Sequence, residues 1–124
     1  MAVKKGSFTI GSTGNASVVG LAFLPTNVDF YLSGKFGTND ADMSFSVGGF
    51  TANNQSADGL VNGRSRSYTD RCIHHYKKVA GAVTDAVVAT KVSFDDNGGG
   101  DYGFTVNASV FDTNFQVKYK ASDE

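Results

Sequence analysis

The chain has 124 residues, 40% of them hydrophobic, which is typical of one globular domain spanning residues 1–124. Its formal net charge of −1 provides no general attraction to nucleic acid or to an anionic membrane. No run of 18 apolar residues is present to insert into a membrane, and the N-terminus lacks the apolar run of a signal peptide. Cys72 is the single cysteine, so an intramolecular disulfide is excluded.

Short segments in which apolar and polar residues alternate follow one another along the chain and predict strands. In chain order they are 7–10, 18–24, 28–32, 43–47, 71–79, 86–94, 104–110 and 115–119. Glycine, asparagine and aspartate separate them, most clearly in the DDNGGGD sequence at 95–101, which predicts a hairpin loop. We expect the apolar residues of each segment to face inward, with Phe30, Phe45, Phe104 and Val117 among them.

No segment shows the apolar spacing of a helix, so the sequence predicts an all-β protein. About seven to nine short strands at this spacing favour an antiparallel two-sheet β-sandwich, such as a jelly roll, with a partly closed barrel as the alternative. Residues 50–70 are rich in Asn, Ser and Gly and predict an irregular loop excursion, in which 55–61 is the only ordered piece. Such excursions often carry binding surfaces.

A catalytic site receives little support from the residue pattern. His74 and His75 are adjacent on a predicted strand, so their side chains leave from opposite faces. Cys72 and His74 share a face at about 7 Å between Cα atoms, which leaves a Cys–His hydrolase as a remote alternative to a buried structural cysteine. We therefore expect no enzymatic activity.

Calcium could be bound by oxygen ligands in the 95–101 loop, where the candidates are Asp95, Asn97 and Asp101. The loop departs from an EF-hand because Gly99 occupies a ligand position and no glutamate closes the site. The alternative, a plain glycine-rich turn, is favoured, and no cofactor is expected.

A basic segment is the strongest candidate for a binding surface. Arginine forks suit carboxylates, and aromatic faces suit sugar rings. The residues expected to contact a ligand or partner are Arg64, Arg66, Tyr68, Arg71 and His75. The alternative is an ordinary solvated strand face, in which these charges bind nothing.

Several short motifs occur together over nearly the whole chain. They are Gly6-Ser7-Phe8-Thr9, Thr13-Gly14-Asn15, Phe23 with Pro25, Val28-Asp29-Phe30, Ser56-Ala57-Asp58-Gly59, Arg71-Cys72-Ile73, Val92-Ser93-Phe94-Asp95, Gly103-Phe104-Thr105-Val106-Asn107 and Val117-Lys118-Tyr119-Lys120-Ala121. In this order they resemble a set of small modules common in bacteriophage and prophage genomes. The chain departs from that pattern in the DDNGGGDY insertion, the absence of tryptophan and the acidic end formed by residues 122–124.

This resemblance implies a virion component of a tail, fibre or capsid surface, made in the bacterial cytoplasm without a signal peptide. Its implied partners are copies of itself, other virion proteins and a host-surface glycan. The predicted strand order, the entry from Pro25 to Val28 and the Gly103-Phe104-Thr105 hairpin are also similar to those of H-type lectins. This resemblance implies an H-type-lectin-like sandwich, a trimer and the alternative function of a carbohydrate-binding module. Both implications concern binding and assembly, with neither nucleic acid nor membrane insertion involved.

Overall fold

A computed structural model describes residues 1–35, 43–61, 64–113 and 115–124, apart from the side chains of Lys35 and Arg64. These residues contain ten strands, which are divided between the two layers of a sandwich. The strands are β1 (Val3–Phe8), β2 (Gly14–Leu21), β3 (Asn27–Lys35), β4 (Met43–Thr51), β5 (Gln55–Val61), β6 (Arg64–Tyr68), β7 (Ile73–Val79), β8 (Ala82–Asp96), β9 (Tyr102–Val110) and β10 (Val117–Ser122). Within the described ranges, no helix is long and apolar enough to cross a membrane.

The strands form two antiparallel sheets. A six-stranded sheet, here the large sheet, has the order β1-β10-β3-β4-β5-β6, and a four-stranded sheet, here the small sheet, has the order β2-β9-β8-β7. Strands β3 to β6 and β7 to β9 are meanders, while the pairs β1–β10, β10–β3 and β2–β9 join distant parts of the chain. The predicted all-β two-sheet sandwich is confirmed, with ten strands in the described residues instead of seven to nine. Its finer likeness to a jelly roll or an H-type lectin stays a prediction.

The core lies between the sheets and is built around aromatic rings. Phe30 of the large sheet and Phe104 of the small sheet are fully buried, with ring centroids 5.6 Å apart. Phe8 packs edge-on against both rings, and Tyr119 packs edge-on against Phe104. Edge-to-face packing of this kind is favourable beyond the area that it buries. The alternation of β3, β9 and β10 therefore has its apolar side inward, as predicted.

The first half of β4 has the opposite orientation to the one expected. Phe45 is 49% exposed, whereas Ser44 and Ser46 are buried, so the expectation that Phe45 faces inward is wrong. The reason lies in β7, which brings His75 against the two serine hydroxyls. Gly48 permits this approach, because a Cβ there would collide with the carbonyl oxygen of Cys72.

The predicted irregular excursion over residues 50–70 is also wrong. Strand β4 continues to Thr51, β5 occupies Gln55–Val61 as expected for the ordered piece, and β6 follows as the edge strand of the large sheet. The polar composition of this segment led to the wrong prediction, because the backbone of an edge strand is paired on one side while its side chains remain largely in solvent.

The loop after β8 is a hairpin turn, as its glycine-rich sequence predicted. Asn97 N donates to the carbonyl of Asp101, and Asp101 N donates to the carbonyl of Gly98. Gly98, Gly99 and Gly100 all have positive φ angles of 65–84°. Three consecutive residues in this region of φ/ψ space require glycine, since other residues would be strained.

Candidate functional site

The basic segment does assemble around one aromatic ring, that of Tyr68 at the end of β6. The Arg71 guanidinium carbon lies 4.1 Å from the centre of this ring, and that of Arg66 lies 5.9 Å from it. His74 stacks on the ring with centroids 4.3 Å apart. Arg64 opens β6, but its side chain lies outside the described residues. The structure thus brings together Arg66, Tyr68 and Arg71.

Both Arg71 and His74 cover the same face of Tyr68. Arg71 Nη1 is 3.1 Å from His74 Nδ1, which is too close for the two groups to lie on opposite faces of a ring. Because arginine can only donate, Nδ1 accepts this bond and the neutral imidazole carries its proton on Nε2. That nitrogen faces Asp85 Oδ1 at 2.9 Å, although without the alignment of a hydrogen bond.

The cationic groups of this cluster are engaged within the chain. Arg71 donates from Nε and Nη2 to the two carboxylate oxygens of Asp70, at 2.9 and 3.1 Å. This hydrogen bonding raises the pKa of Arg71 and lowers that of Asp70. Burial lowers the pKa of His74, partly offset by the charge of Asp85. A ligand for Arg71 must therefore replace existing bonds, which weakens the case for a preformed sugar or carboxylate site.

His75 is not part of this cluster, so the prediction that it contacts a ligand with the arginines is wrong. It is fully buried, with Nε2 2.9 Å from Ser44 Oγ and Nδ1 2.8 Å from Ser46 Oγ. A hydroxyl can donate or accept, so two serines satisfy both nitrogens of a neutral imidazole. Burial lowers the pKa of His75 to about 4, which keeps it neutral at physiological pH.

The geometry does not support a cysteine–histidine nucleophile. Cys72 is fully buried, and its Sγ lies 3.6 Å from the carbonyl oxygen of Ala89. Burial raises the pKa of this thiol to about 12, so it remains protonated and unreactive at neutral pH. The nitrogens of His74 face Arg71 and Asp85.

The calcium candidates point to separate partners. Asp95 accepts hydrogen bonds from Ser93 and Thr105, whereas Asp101 accepts one from the backbone of Gly20. In the part of the chain that the structure describes, no cluster of three or more His, Cys, Asp or Glu is placed to hold a metal ion. The candidate carboxylates have structural roles in joining β8, β9 and the end of β2.

The outer face of the large sheet, which points away from the small sheet, carries apolar side chains that sequence reasoning placed inside or passed over. Phe45 and Leu60 are directly opposed on β4 and β5 and are 49% and 51% exposed. We call the apolar patch the set of Tyr31, Met43, Phe45, Val47 and Leu60. Contiguous exposed apolar side chains of this kind mark interaction surfaces. The serine–phenylalanine alternation in β4 predicts a strand with one polar and one apolar side, but it does not show which side faces the small sheet.

One row across this face combines charge with the apolar patch. Lys118 is paired with Tyr31, Tyr31 with Val47, and Val47 with Asp58. We call these four residues the charged row. It has a cation on one side, two apolar residues in the middle and an anion on the other side.

A shallow groove crosses the same face beside the charged row. It has a volume of about 390 Å³ and is lined by Asn27, Asp29, Tyr31, Gly49, Gln55 and Asp58, among others. Gly49 contributes no side chain between Asp29 and Ser56, its neighbours on either side. The groove therefore presents amides and carboxylates next to an exposed tyrosine ring.

Comparisons of the chain with known protein families, with curated proteins and with solved structures give no match.

Proposed function

We propose that this chain is a non-enzymatic structural module that acts by self-association, and that the outer face of the large sheet is the surface through which it assembles. The observation that carries this proposal is the inverted alternation of β4, which places Phe45 outside and Ser44 and Ser46 inside. A partner that buries the exposed phenylalanine and the leucine opposite it stabilises the assembly, because both side chains are removed from water.

The structural role is further supported by how the candidate catalytic groups are used. The Cys72 thiol is buried and protonated, and His74 is engaged by Arg71 and Asp85. The setting that we propose is a bacteriophage virion, in a tail, fibre or capsid-surface position, with other virion proteins as further partners. This setting rests on the sequence resemblance described above.

Self-association is tested by measuring the native mass of the purified chain over a wide range of concentration. We expect an oligomer that dissociates on dilution, and we expect Phe45→Ser and Leu60→Ser to shift dissociation to higher concentration. The matched controls are Phe111→Ser and Leu24→Ser, because these side chains are 42% and 46% exposed but lie elsewhere. A wild-type chain that stays monomeric throughout overturns the proposal.

Carbohydrate binding is a second candidate, favoured by the groove at Gly49. Amides and carboxylates that surround an aromatic ring are suited to sugar hydroxyls and to the apolar face of a sugar ring. If this function holds, a glycan array shows binding that is lost in Tyr31→Ala and Asp29→Asn but kept in Arg66→Ala. Loss in Arg66→Ala alone would instead place the sugar at the Tyr68 cluster.

A further inference from the structure

Resting on the proposed function, we infer that the partner on the outer face is a second copy of this chain, packed face to face. The two copies are related by a two-fold axis that runs parallel to the strands, midway between β3 and β4. In this arrangement Lys118 of each copy meets Asp58 of the other, and Tyr31 meets Val47.

The order of residues in the charged row carries this inference. Extended by the neighbouring strands, the row reads Ser7, Lys118, Tyr31, Val47, Asp58 and Ser67 across all six strands of the large sheet. From either end it begins with a serine, continues with a charge and reaches an apolar residue. The two halves match in residue class except for the sign of the charge, so the row is complementary to its own reversed copy.

The position of the strands supplies the symmetry. In the large sheet, β10 and β5 lie on either side of the β3–β4 pair, each about 7 Å from the line midway between β3 and β4 at a spacing of about 4.8 Å per strand. A two-fold rotation about that line places β10 of one copy over β5 of the other and leaves the position of each residue along the strand direction unchanged. It therefore brings Lys118 of one copy over Asp58 of the other. Packed sheets are inclined by about 30°, which displaces the two charges by a few ångströms, a distance that the flexible lysine side chain can span.

The rows on either side fit the same operation by size. In one row, Asp29 pairs with Gly49, so the rotation places Asp29 of one copy over the groove at Gly49 of the other, which Asp29 and Asp58 of that copy also line. Lys120, paired with Asp29 on β10, supplies a cation to the same row in each copy. In the next row beyond Val47, Ser33 pairs with Phe45, so each exposed phenylalanine meets a serine. Large side chains facing small ones allow two surfaces to interdigitate.

Other arrangements of the same surface are less favourable. A two-fold axis that runs along the charged row places Lys118 against Lys118 and Asp58 against Asp58, and like charges brought together oppose association. The face also has sufficient size. Six strands span roughly 24 Å and the nine-residue strands β3 and β4 run roughly 30 Å, so the face covers at most roughly 700 Å². That area approaches the roughly 800 Å² that each partner contributes to a stable interface.

Charge reversal tests the arrangement. We expect Lys118→Asp and Asp58→Lys each to raise the dimer dissociation constant by about tenfold or more, as measured by sedimentation or native mass. Mixing the K118D and D58K chains restores association as a heterodimer, because every charge then meets its opposite. The double variant K118D/D58K also restores the homodimer. Lys4→Asp, an exposed lysine on the edge strand β1, is the control and changes the dissociation constant little.

The outcomes separate this inference from the function on which it rests. A wild-type monomer overturns both. A wild-type trimer, or a dimer whose two single reversals have no effect, overturns the two-fold arrangement and leaves self-association intact. The arrangement is also overturned if the single variants associate weakly and neither mixing nor the double reversal restores association. The two charged residues would then affect association without contacting each other across the interface.

Discussion

Strand β9 and the first half of β4 have the same alternating pattern, yet they turn opposite sides to the core. In β9, Phe104 and Val106 are completely buried. In β4, Ser44 and Ser46 are buried while Phe45 is half exposed. Both segments are antiparallel and paired on both sides, so neither sheet position nor local propensity explains the difference.

What decides the orientation is the chemistry of the facing element. Phe104 faces other aromatic rings, those of Phe30 and Tyr119. The inward side of β4 faces His75, a buried imidazole whose two nitrogens require hydrogen-bond partners. Burying serine here avoids the free-energy penalty of an unsatisfied imidazole, and the phenylalanine is left outside for a partner.

Replacement of the two phenylalanines by alanine tests this comparison most strongly. Phe104→Ala should lower the free energy of unfolding by about 3–5 kcal/mol, because it removes a buried ring and leaves a cavity. Phe45→Ala, measured at concentrations where the chain is monomeric, should change it by less than about 0.5 kcal/mol. Urea denaturation of both variants gives the two values. Equal losses would contradict the outward placement of Phe45.

Acid should destabilise the β4–β7 contact. The pKa of His75 is about 4 in the folded chain, against an ordinary value of 6.5. The unfolded chain therefore binds more protons between these values, so stability is greatest above pH 6.5 and falls as the pH drops to about 4. The loss expected from His75 is about 3 kcal/mol.

Urea denaturation over this pH range measures the effect of acid. His75→Gln should remove most of the pH dependence. His74→Gln should leave the part that His75 contributes, although the pKa of His74 is also lowered by burial. A slope that is unchanged in His75→Gln would rule out this source of acid sensitivity.

Removing one hydroxyl should have the smallest effect of the three. Ser46→Ala takes away the group hydrogen bonded to His75 Nδ1, and we expect a loss of about 1–3 kcal/mol in unfolding free energy. Ser33→Ala, on the exposed side of β3, is the matched control and should be neutral when both variants are measured at concentrations where the chain is monomeric. If both variants are neutral, the hydroxyl does not determine the orientation of β4.

Much of the fold could be read from the sequence because side-chain pattern and strand position coincide in the interior. The predicted ordered piece at 55–61 is β5, and the predicted strand at 104–110 lies within β9. The edge strands of the large sheet, β1 and β6, were the exceptions. Strand β1 (Val3–Phe8) was predicted at 7–10, because its position is set by backbone pairing with β10 and its side chains are mostly exposed.

Less of the candidate site could be predicted. Arg66 and Arg71 do gather around Tyr68, since these residues are close in sequence. The burial of His75 depends on serines about thirty positions earlier, which no local pattern shows. The charged row depends on the register of several strands, so it exists only once the large sheet has formed.

The burial of Cys72 has a practical consequence for these measurements. The only thiol of the chain has a pKa of about 12 and no exposure to solvent, so it should not react with maleimide dyes or spin labels. A cysteine introduced at Ser67, at the rim of the outer face, then carries all of the label. Distances between two such probes would report the geometry of the assembled copies without any need to mutate the native cysteine.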